Sequence, residues 1–403
     1  MRYKCTFLAG AGALALAIAA PAAAQSVSVK IGVLNDRSGV YSDISGVGSE
    51  WAAKKAIEDF GAEAKGIKVE VLAADHLNKP DVGANIARQW IDVDKVDAIV
   101  DVPTSSVALA VNALVREKNK VHLNSGAATS DLTGKACSPN TVHWTYDTWA
   151  LANGTGNAIV KEGGKTWFFL TADYAFGHAL ERDTSAVVEK AGGKVVGKVR
   201  VPFPGTDFSS FLLQAQASGA KVIGLANAGG DTINSIKQAG EFGITQAGQS
   251  LAGLLIFVTD VHALGLKSAQ GLVFTAPWYW DQDENSRAFS KAYFDDLKRM
   301  PGYTVAGVYS SVIHYLKAVE ALKSASDGKL VVEKMKELPT EDKLMGKGSI
   351  RVDGRHVHDM YLYEVKKPAE SKYAWDYYKL RSKIPAAEAW RPLDQGGCEL
   401  VKK

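Results

Sequence analysis

Three hydroxyl side chains stand in a row at Thr104, Ser105 and Ser106, where an apolar run ends and a helical pattern begins. The free backbone N–H groups of a helix start, the positive end of the helix dipole and these hydroxyls together suit a carboxylate or another anion. A plain helix cap accounts for one such residue better than for three. We therefore predict an anion-binding site that includes Thr104 and Ser105.

Small and polar residues also follow three later strand-like segments. Residues 124–129 carry side chains small enough for a ligand to touch the backbone near Ala127, and Thr129 adds a hydroxyl. Residues 171–177 and 227–231 each lead into a helical pattern. Ligands collect at the carboxyl ends of strands in open α/β sheets, so we expect binding residues in these segments. Asp231 either caps its helix or contacts the ligand.

The usual motifs for catalysis or for a cofactor are missing from the sequence. Gly46 and Gly48 follow the first predicted strand, but Trp51 stands where a dinucleotide-binding G-x-G-x-x-G motif needs its third glycine. The sequence has no Walker phosphate loop, no G-x-S-x-G, no H-E-x-x-H and no C-x-x-C. We predict that the chain is not an enzyme and that it holds no cofactor and no metal.

Two further clusters have alternative interpretations. His356 and His358 would share one face of a strand, either as part of a metal site with no third ligand in view or as exposed strand residues, which we favour. Trp278, Tyr279 and Trp280 form either a packed hinge or the wall of a cleft.

The elements that position these residues alternate between β-branched runs and amphipathic stretches, which is typical of parallel α/β architecture. The chain contains two such halves in succession, and its length favours two domains. The predicted strands are 27–34, 67–74, 96–102, 121–123, 166–171, 194–201, 222–226, 251–257, 271–275, 348–352 and 360–365, and the predicted helices are 46–60, 81–93, 105–118, 149–161, 175–191, 208–217, 231–242, 285–299, 305–324 and 330–337.

The helices after Pro277 are accompanied by too few strands to form a third domain. We predict that they return to the first half, so that the chain crosses between two lobes more than once and forms a hinge. The predicted divisions are a leader at 1–24, a first lobe at 25–146 plus 277–350, a second lobe at 147–276 plus 351–383, and a tail at 384–403.

The first residues have the pattern of a secretory signal peptide. Arg2 and Lys4 precede an apolar run at residues 7–20, and small residues at 22–24 provide a cleavage site. We therefore expect the mature chain to reach the periplasm or the outside. The formal net charge is +3, of which Arg2 and Lys4 carry two units, and no basic block predicts binding to nucleic acid or to a membrane surface.

Two of the three cysteines, Cys137 and Cys398, remain after the leader. Disulfides persist in an oxidising compartment, so we predict that they pair, the alternative being two unrelated thiols. The bridge would tie the tail to the first half of the chain. Loop-closure entropy sets an upper bound of roughly 5 kcal/mol on its contribution to stability.

Together, the leader, the two α/β lobes and the motifs at the strand ends resemble the leucine/isoleucine/valine-binding (type I) family of periplasmic solute-binding proteins that serve ABC importers. The resemblance covers nearly the whole mature chain. It is carried by I-G-x-L-x-x-x-S-G at 31–39, Thr104-Ser105-Ser106, Ala127-Ala128-Thr129 with Leu132-Thr133, Phe176-Gly177, Thr206-Asp207-Phe208-Ser209 and Trp280-Asp281-Gln282-Asp283.

The resemblance implies two doubly wound lobes joined by a multi-strand hinge, which close on a small solute and present it to a membrane permease. By the family pattern, Thr104, Ala127 and Thr129 hold the ligand carboxylate, and Asp231 pairs with an ammonium group. The pattern also assigns ligand contact to the loop from Arg37 to Tyr41, to Phe176 and to Trp280, and the strand-end rule adds Tyr174 and Asn227.

The ligand class that follows is a small amphipathic carboxylate, and its identity stays open between a branched-chain amino acid, an aromatic amino acid and an aromatic acid. The aromatic residues suit a ring, whereas Asp231 favours an ammonium or a hydroxyl donor. Alternatives are an amide binder of the same fold, or a ligand sensor that signals to a receptor. We expect a monomer, located in the periplasm, whose partners are the ligand and an ABC permease.

Overall fold

The computed structural model describes residues 26–402, so the predicted leader at 1–24 lies outside the described residues. None of the helices in that range has the length and hydropathy that crossing a membrane requires. The chain forms two α/β lobes with parallel sheets and, beside them, two smaller antiparallel sheets, β10-β14-β15 and β11-β12-β13, whose strands are given below. The predicted fold class, two doubly wound lobes, is confirmed.

The first lobe is built on a five-stranded parallel sheet in the order β2-β1-β3-β4-β5. Its central strands are rich in valine and isoleucine and are buried on both faces, as expected when helices cover both sides of a parallel sheet. The elements are β1 (Val27–Asn35), α1 (Gly46–Phe60), β2 (Ile67–Asp75), α2 (Pro80–Gln89), β3 (Ala98–Asp101), α3 (Ser105–Glu117), β4 (Val121–Asn124) and β5 (Thr141–His143).

The second lobe is built on a four-stranded parallel sheet in the order β7-β6-β8-β9. Aromatic side chains such as Trp167 and Phe169 fill its core. The elements are α4 (Thr148–Leu151), α5 (Asn157–Lys161), β6 (Thr166–Ala172), α6 (Ala175–Lys190), β7 (Lys194–Val201), α7 (Ser209–Ala217), β8 (Val222–Ala226), α8 (Gly230–Glu241), β9 (Ser250–Gly253), α9 (Val258–Leu264) and α10 (Leu266–Ala269).

The remaining elements divide between the first lobe and the hinge. Trp51 of α1 packs edge-on against Phe289 and Tyr293, with ring centres 5.5 Å and 5.1 Å away, which places the helix carrying these two residues on the first lobe. The elements are β10 (Val273–Ala276), α11 (Glu284–Leu297), α12 (Tyr303–Leu322), α13 (Gly328–Glu337), β11 (Thr340–Asp342), β12 (Gly346–Ile350), β13 (His356–Val357), β14 (Met360–Val365), β15 (Tyr378–Ile384) and α14 (Ala386–Ala389).

Strands β10, β14 and β15 form the antiparallel sheet next to the second lobe, and α12 packs along α1 of the first lobe. The chain therefore passes between the lobes several times. The residue boundaries given above for the lobes and the tail stay a prediction.

Most predicted elements agree with the structure. The helix at 46–60 and the strands at 194–201, 222–226 and 360–365 are confirmed to the residue. The strand predicted at 251–257 is wrong beyond Gly253, because residues 254–257 are buried between the lobes without pairing in the sheet. Strand β15 was not predicted, since most of its residues are exposed and polar and show no regular alternation.

The predicted disulfide is confirmed: Cys137 and Cys398 are bonded across a separation of 261 residues. Two further contacts attach the tail to the first lobe. Arg391 donates from Nη2 to the carbonyl of Ser130 at 2.9 Å, and Arg116 pairs with Glu399 at 2.7 Å. The tail therefore acts as a strap between the hinge sheet and the first lobe.

Replacing both cysteines by serine, Cys137→Ser with Cys398→Ser, should lower the free energy of unfolding by about 2–5 kcal/mol, because the unfolded chain regains the entropy that the long loop removes. Urea denaturation monitored by tryptophan fluorescence measures this change. Wild-type protein treated with dithiothreitol is the control and should unfold at the same midpoint as the variant. An unchanged midpoint in both would contradict a stabilising bridge.

Candidate functional site

A cavity lies between the two lobes, at the carboxyl ends of both parallel sheets. Its accessible volume is only about 10 Å³. That accessible space is about what one water molecule needs, so the lobes are shut around it. On the first-lobe side the cavity is lined by Tyr41, Ile44, Pro103, Gly126, Ala128 and Tyr146.

The second-lobe side is apolar and partly aromatic. Tyr174 and Phe176 flank the start of α6, Ala228 precedes α8, and Leu255 and Phe257 lie on the segment that follows β9. Counted over both sides, five of the lining residues are aromatic and none carries a charged side chain. The walls therefore suit a flat, apolar group.

Helices α3, α6 and α8 are among those that begin at this cavity. Pro103 lies just before α3, Tyr174 is the residue before α6, and Ala228 lies two residues before α8. The first N–H groups of a helix have no partner within the helix, and its dipole places partial positive charge there. Three such ends at one cavity favour an anion, although no basic side chain is present among the lining residues.

The backbone at the end of β3 is strained. Asp101 and Val102 both have left-handed conformations, with φ of 77° and 51°, although neither is glycine. Such residues persist where the surrounding structure enforces them, and they are concentrated at functional sites. The Asp101 carboxylate accepts hydrogen bonds from Asn35 Nδ2 at 3.1 Å and Ser125 Oγ at 3.3 Å, and burial raises its pKa to about 6.

The lobes touch each other at the rim of the cavity. The hydroxyls of Tyr41 and Tyr174 hydrogen-bond at 2.5 Å, and the Gly230 amide donates to the Val40 carbonyl at 3.1 Å. Phe203 of the second lobe stacks on Tyr174 with ring centres 4.1 Å apart, and its ring centre lies 5.4 Å from that of Tyr41 on the first lobe. These contacts cross from the first lobe to the second, so a solute enters only when they separate.

Asp231, in the first turn of α8, is buried close to these tyrosines but is not among the lining residues. Both of its carboxylate oxygens accept from the Gly205 amide, at 3.1 Å and 3.2 Å. Burial raises the pKa of this carboxyl to about 7, and the Gly205 amide partly offsets that rise. Near neutral pH the group is therefore divided between its acid and ionised forms.

Comparisons with known proteins are consistent with this arrangement. The sequence profile of the periplasmic binding protein family matches residues 28–372. The chain belongs to this family. A periplasmic binding protein from Burkholderia mallei shares 52% identity and a TM-score of 0.91, over 93% of this chain and 99% of that one.

Two further relatives carry names that concern amino acids. A branched chain amino acid ABC transporter periplasmic ligand-binding protein from Burkholderia xenovorans LB400 is 39% identical with a TM-score of 0.82, over 92% of this chain and 99% of that one. The Leu/Ile/Val-binding protein homolog 6 of Brucella melitensis is 25% identical over 356 residues, which is 86% of this chain and 89% of the relative. The chain is thus similar to ligand-binding proteins of ABC transporters.

Three of the ligand-binding residues predicted from the sequence of this binding protein meet at the cavity: Tyr41, Tyr174 and Phe176. The predicted hydroxyls lie behind its wall. Thr104 donates from Oγ1 to Asn78 Oδ1, and Ser105 Oγ accepts the Thr129 amide at 3.2 Å. Pro103 and Ala128, adjacent in sequence to Thr104 and to Thr129, provide the surface instead. Direct ligand contact by these hydroxyls stays a prediction.

The structure does not bring four other predicted residues to the cavity. Ala127 is buried with the apolar core on the α3 face of the first sheet. The remaining three are engaged elsewhere: Asn227 Nδ2 donates to Ser235 Oγ at 2.9 Å, Arg37 pairs with Glu50 at 2.8 Å, and Trp280 Nε1 donates to the Trp375 carbonyl at 3.0 Å.

The aromatic run at 278–280 is packed in the hinge. Trp278 Nε1 donates to Ser286 Oγ at 2.9 Å, and Tyr279 stacks on Tyr378 with ring centres 4.4 Å apart. All three residues of the run are buried. The packed-hinge alternative is therefore the one that fits the structure, and the cleft wall is built from other aromatic residues.

Sequence reasoning missed Tyr146 and Phe257. Tyr146 lies between β5 and α4, on the segment at residues 144–147 where the chain first passes from one lobe to the other, which we call the first passage. Its hydroxyl donates to the Gly126 carbonyl at 2.6 Å. Phe257 stacks on Tyr303 with ring centres 4.6 Å apart. Strand β5, which Tyr146 follows, was not predicted, and the strand predicted at 251–257 included Phe257, so the strand-end rule selected neither residue. The signal that could have found Phe257 was its position in an apolar run too long for its strand.

The paired histidines are structural. His356 and His358 are both buried, and His356 stacks on Trp144 with ring centres 3.9 Å apart, so the expectation of exposed strand residues is wrong. No group of three or more metal-ligating side chains occurs among residues 26–402. Their burial follows from the position of β13 beneath the first passage between the lobes.

Replacing Asp231 by asparagine tests its titration. The folded protein binds this proton more tightly than the unfolded chain, whose pKa stays near 3.8, so the free energy of unfolding falls as the pH rises from about 4 to about 7. Asp231→Asn stays neutral and should have a higher melting temperature than wild type at about pH 8, with the difference vanishing near pH 4.

Differential scanning fluorimetry across this pH range provides the measurement. Asp207→Asn is the control, because the Asp207 carboxyl is exposed and only accepts the nearby Ser209 amide at 2.9 Å. Identical melting temperatures of Asp231→Asn and wild type at about pH 8 would show that the buried carboxyl carries no such cost.

Proposed function

We propose that this binding protein captures a small aromatic carboxylate outside the cytoplasm and delivers it to the permease of an ABC importer. The observation that carries the proposal is the interlobe cavity itself, where three helix starts meet five aromatic side chains and no charged side chain lines the wall. The helix starts supply sites for the carboxylate, and the aromatic residues supply sites for the ring.

The aromatic part of the proposal is supported by the arrangement of the rings. Tyr174 is stacked on Phe203, and its ring centre lies 5.9 Å from that of Phe176. Tyr146 packs edge-on against Tyr303 with ring centres 5.2 Å apart. A ligand ring inserted between such groups gains about 0.5–1.5 kcal/mol per aromatic contact beyond the burial of area.

The carboxylate is supported by the helix starts at Pro103 and Ala228. Pro103 lines the cavity from the first lobe, two residues before α3, and Ala228 lines it from the second lobe, two residues before α8. Closure therefore brings two positive dipole ends toward one point from two sides. An anion placed there is stabilised without a lysine or arginine, and the ligand becomes the bridge that favours the closed form.

The absence of a charged lining residue among residues 26–402 separates an acid from an amino acid. An ammonium group buried in this cavity needs a carboxylate partner, because an unpaired buried charge is costly. Asp231, the nearest candidate, accepts the Gly205 amide, and its burial favours the neutral form. An acid without an ammonium therefore fits better. An amino acid is the second candidate, favoured by the name of the relative that is 39% identical.

Transport is supported by the same relative, which is named as a component of an ABC transporter. The role outside the cytoplasm is supported by the family match and by the leader pattern at residues 1–24. The expectation that the protein acts as a monomer stays a prediction.

A thermal-shift screen of the mature protein tests the ligand class. Benzoate and 4-hydroxybenzoate should stabilise the protein, by about 2.7 kcal/mol at a concentration of about one hundred times Kd. Benzamide retains the ring without the charge, and cyclohexanecarboxylate retains the charge without the aromatic face, so both should bind more weakly. Stabilisation by leucine or phenylalanine but not by either aromatic acid would overturn the proposed class in favour of an amino acid.

A double-mutant cycle tests whether the rim contact contributes to closure. Tyr41→Phe and Tyr174→Phe each remove the same hydrogen bond, so each should raise Kd for the acid by a factor that corresponds to about 1 kcal/mol, and the double variant should be no worse than either single one. Isothermal titration calorimetry measures the three values. Tyr373→Phe, on an exposed residue of the hinge, is the control. Fully additive effects would show that the two hydroxyls act separately.

A further inference from the structure

Asp36, at the end of β1, is fully buried, yet it is not among the residues that line the cavity. Its carboxylate accepts the Gly39 and Tyr41 amides, each at 2.8 Å, and the side-chain amide of Asn78 at 2.6 Å. Hydrogen bonds to an ionised acceptor are about twice as strong as neutral ones. The segment that carries the cavity residue Tyr41 is therefore tied to one carboxylate.

Asn78 continues this connection to a second element. It comes from the loop after β2 and has a left-handed backbone with φ of 57°, a conformation that asparagine tolerates better than most residues. Its side-chain oxygen accepts the Thr104 hydroxyl, and Thr104 is the residue before α3. The chain of contacts from Asp36 through Asn78 thus reaches the helix start beside Pro103.

The loop packs closely against these groups at Gly39. A Cβ atom on Gly39 would lie 2.8 Å from Asp36 Oδ2 and 2.9 Å from Asn78 Nδ2. The backbone therefore wraps directly over the carboxylate and the amide. Just beyond it, Val40 and Tyr41 make the contacts to the second lobe described above.

We propose that Asp36 is a positioning residue that holds the loop at residues 37–45 and the start of α3 as one unit, so that both first-lobe parts of the site meet the second lobe together. The inference rests on the proposed function only in taking this cavity as the ligand site. Asp36 acts through Tyr41 and Thr104 and does not itself touch the ligand.

Hydrogen–deuterium exchange of the ligand-free protein tests the coupling. In Asp36→Asn one acceptor oxygen is replaced by a donor, so amides at 39–45 and at 105–108 should both exchange about tenfold faster than in wild type. In Asn78→Ala the carboxylate keeps the Tyr41 amide, so only the segment at 105–108 should exchange faster. This difference between the two variants is expected if Asn78 connects Asp36 to the start of α3.

Asp75→Asn is the matched control. The Asp75 carboxylate is a neighbour at the same sheet edge, and it accepts the Ser38 hydroxyl and the Leu77 amide, both at 2.7 Å, without contacting Tyr41. It should leave exchange at 105–108 unchanged. Unchanged exchange in both segments of Asp36→Asn, or a uniform increase over the whole first lobe, would overturn the proposal, the latter because it indicates a general structural role.

Calorimetry with 4-hydroxybenzoate as the probe adds a functional measurement. Kd should rise about tenfold or more in Asp36→Asn and stay unchanged in Asp75→Asn. An unchanged Kd in Asp36→Asn would contradict a role in positioning the site. If wild type does not bind the probe, the proposed ligand class fails, and the exchange measurement alone decides on Asp36.

Discussion

The distance between the two lobes of this binding protein depends on Gly229 and Gly230, which have no side chains. Gly229 has a left-handed backbone with φ of 56°, and a Cβ atom there would lie 2.5 Å from the Val40 carbonyl. The absence of a side chain lets the loop at residues 37–45 approach the start of α8, where the Gly230 amide meets the same carbonyl. This backbone contact sets the interlobe distance. The hydroxyl pair of Tyr41 and Tyr174 and the size of the cavity both depend on it.

Among the residues that the structure describes, no charged side chain lines the cavity that this contact helps to enclose. Asp101 and Asp231 lie next to the site, but hydrogen bonds hold both behind its wall, and burial raises the pKa of each carboxyl. The electrostatic character of the cavity therefore comes from backbone dipoles instead of side chains. Since dipole ends are fixed by the helices, an anion bound there requires little reorganisation of the protein. In the proposed function, the aromatic walls then select among carboxylates.

Much of the fold, and part of the site, could be predicted from the sequence. The β-branched runs identified the strands of both parallel sheets except β5, and the strand-end rule located Tyr174 and Phe176. The rule also selected Thr104, Ser105 and Thr129, whose hydroxyls bond to neighbouring protein groups, because the local pattern does not specify which side of a loop faces the cavity. Tyr146 and Phe257 were missed because β5 was not predicted and the strand at 251–257 was predicted too long.

The segments that pass between the lobes meet at the buried cation Arg355. Arg355, on the segment before β13, donates from Nη1 to the Tyr146 carbonyl at 3.0 Å, and its guanidinium lies 4.3 Å from the ring centre of Trp390 in the tail. Arg355 therefore joins three parts of the chain: the first passage, the segment before β13 on which it lies, and the disulfide-held tail. A hinge fixed at this point keeps Tyr146 beside the first lobe, because its carbonyl is held by Arg355 and its hydroxyl by Gly126. Opening must then move Tyr174 and α8 away from a stationary Tyr146, so the floor of the site is preformed and the second lobe completes it.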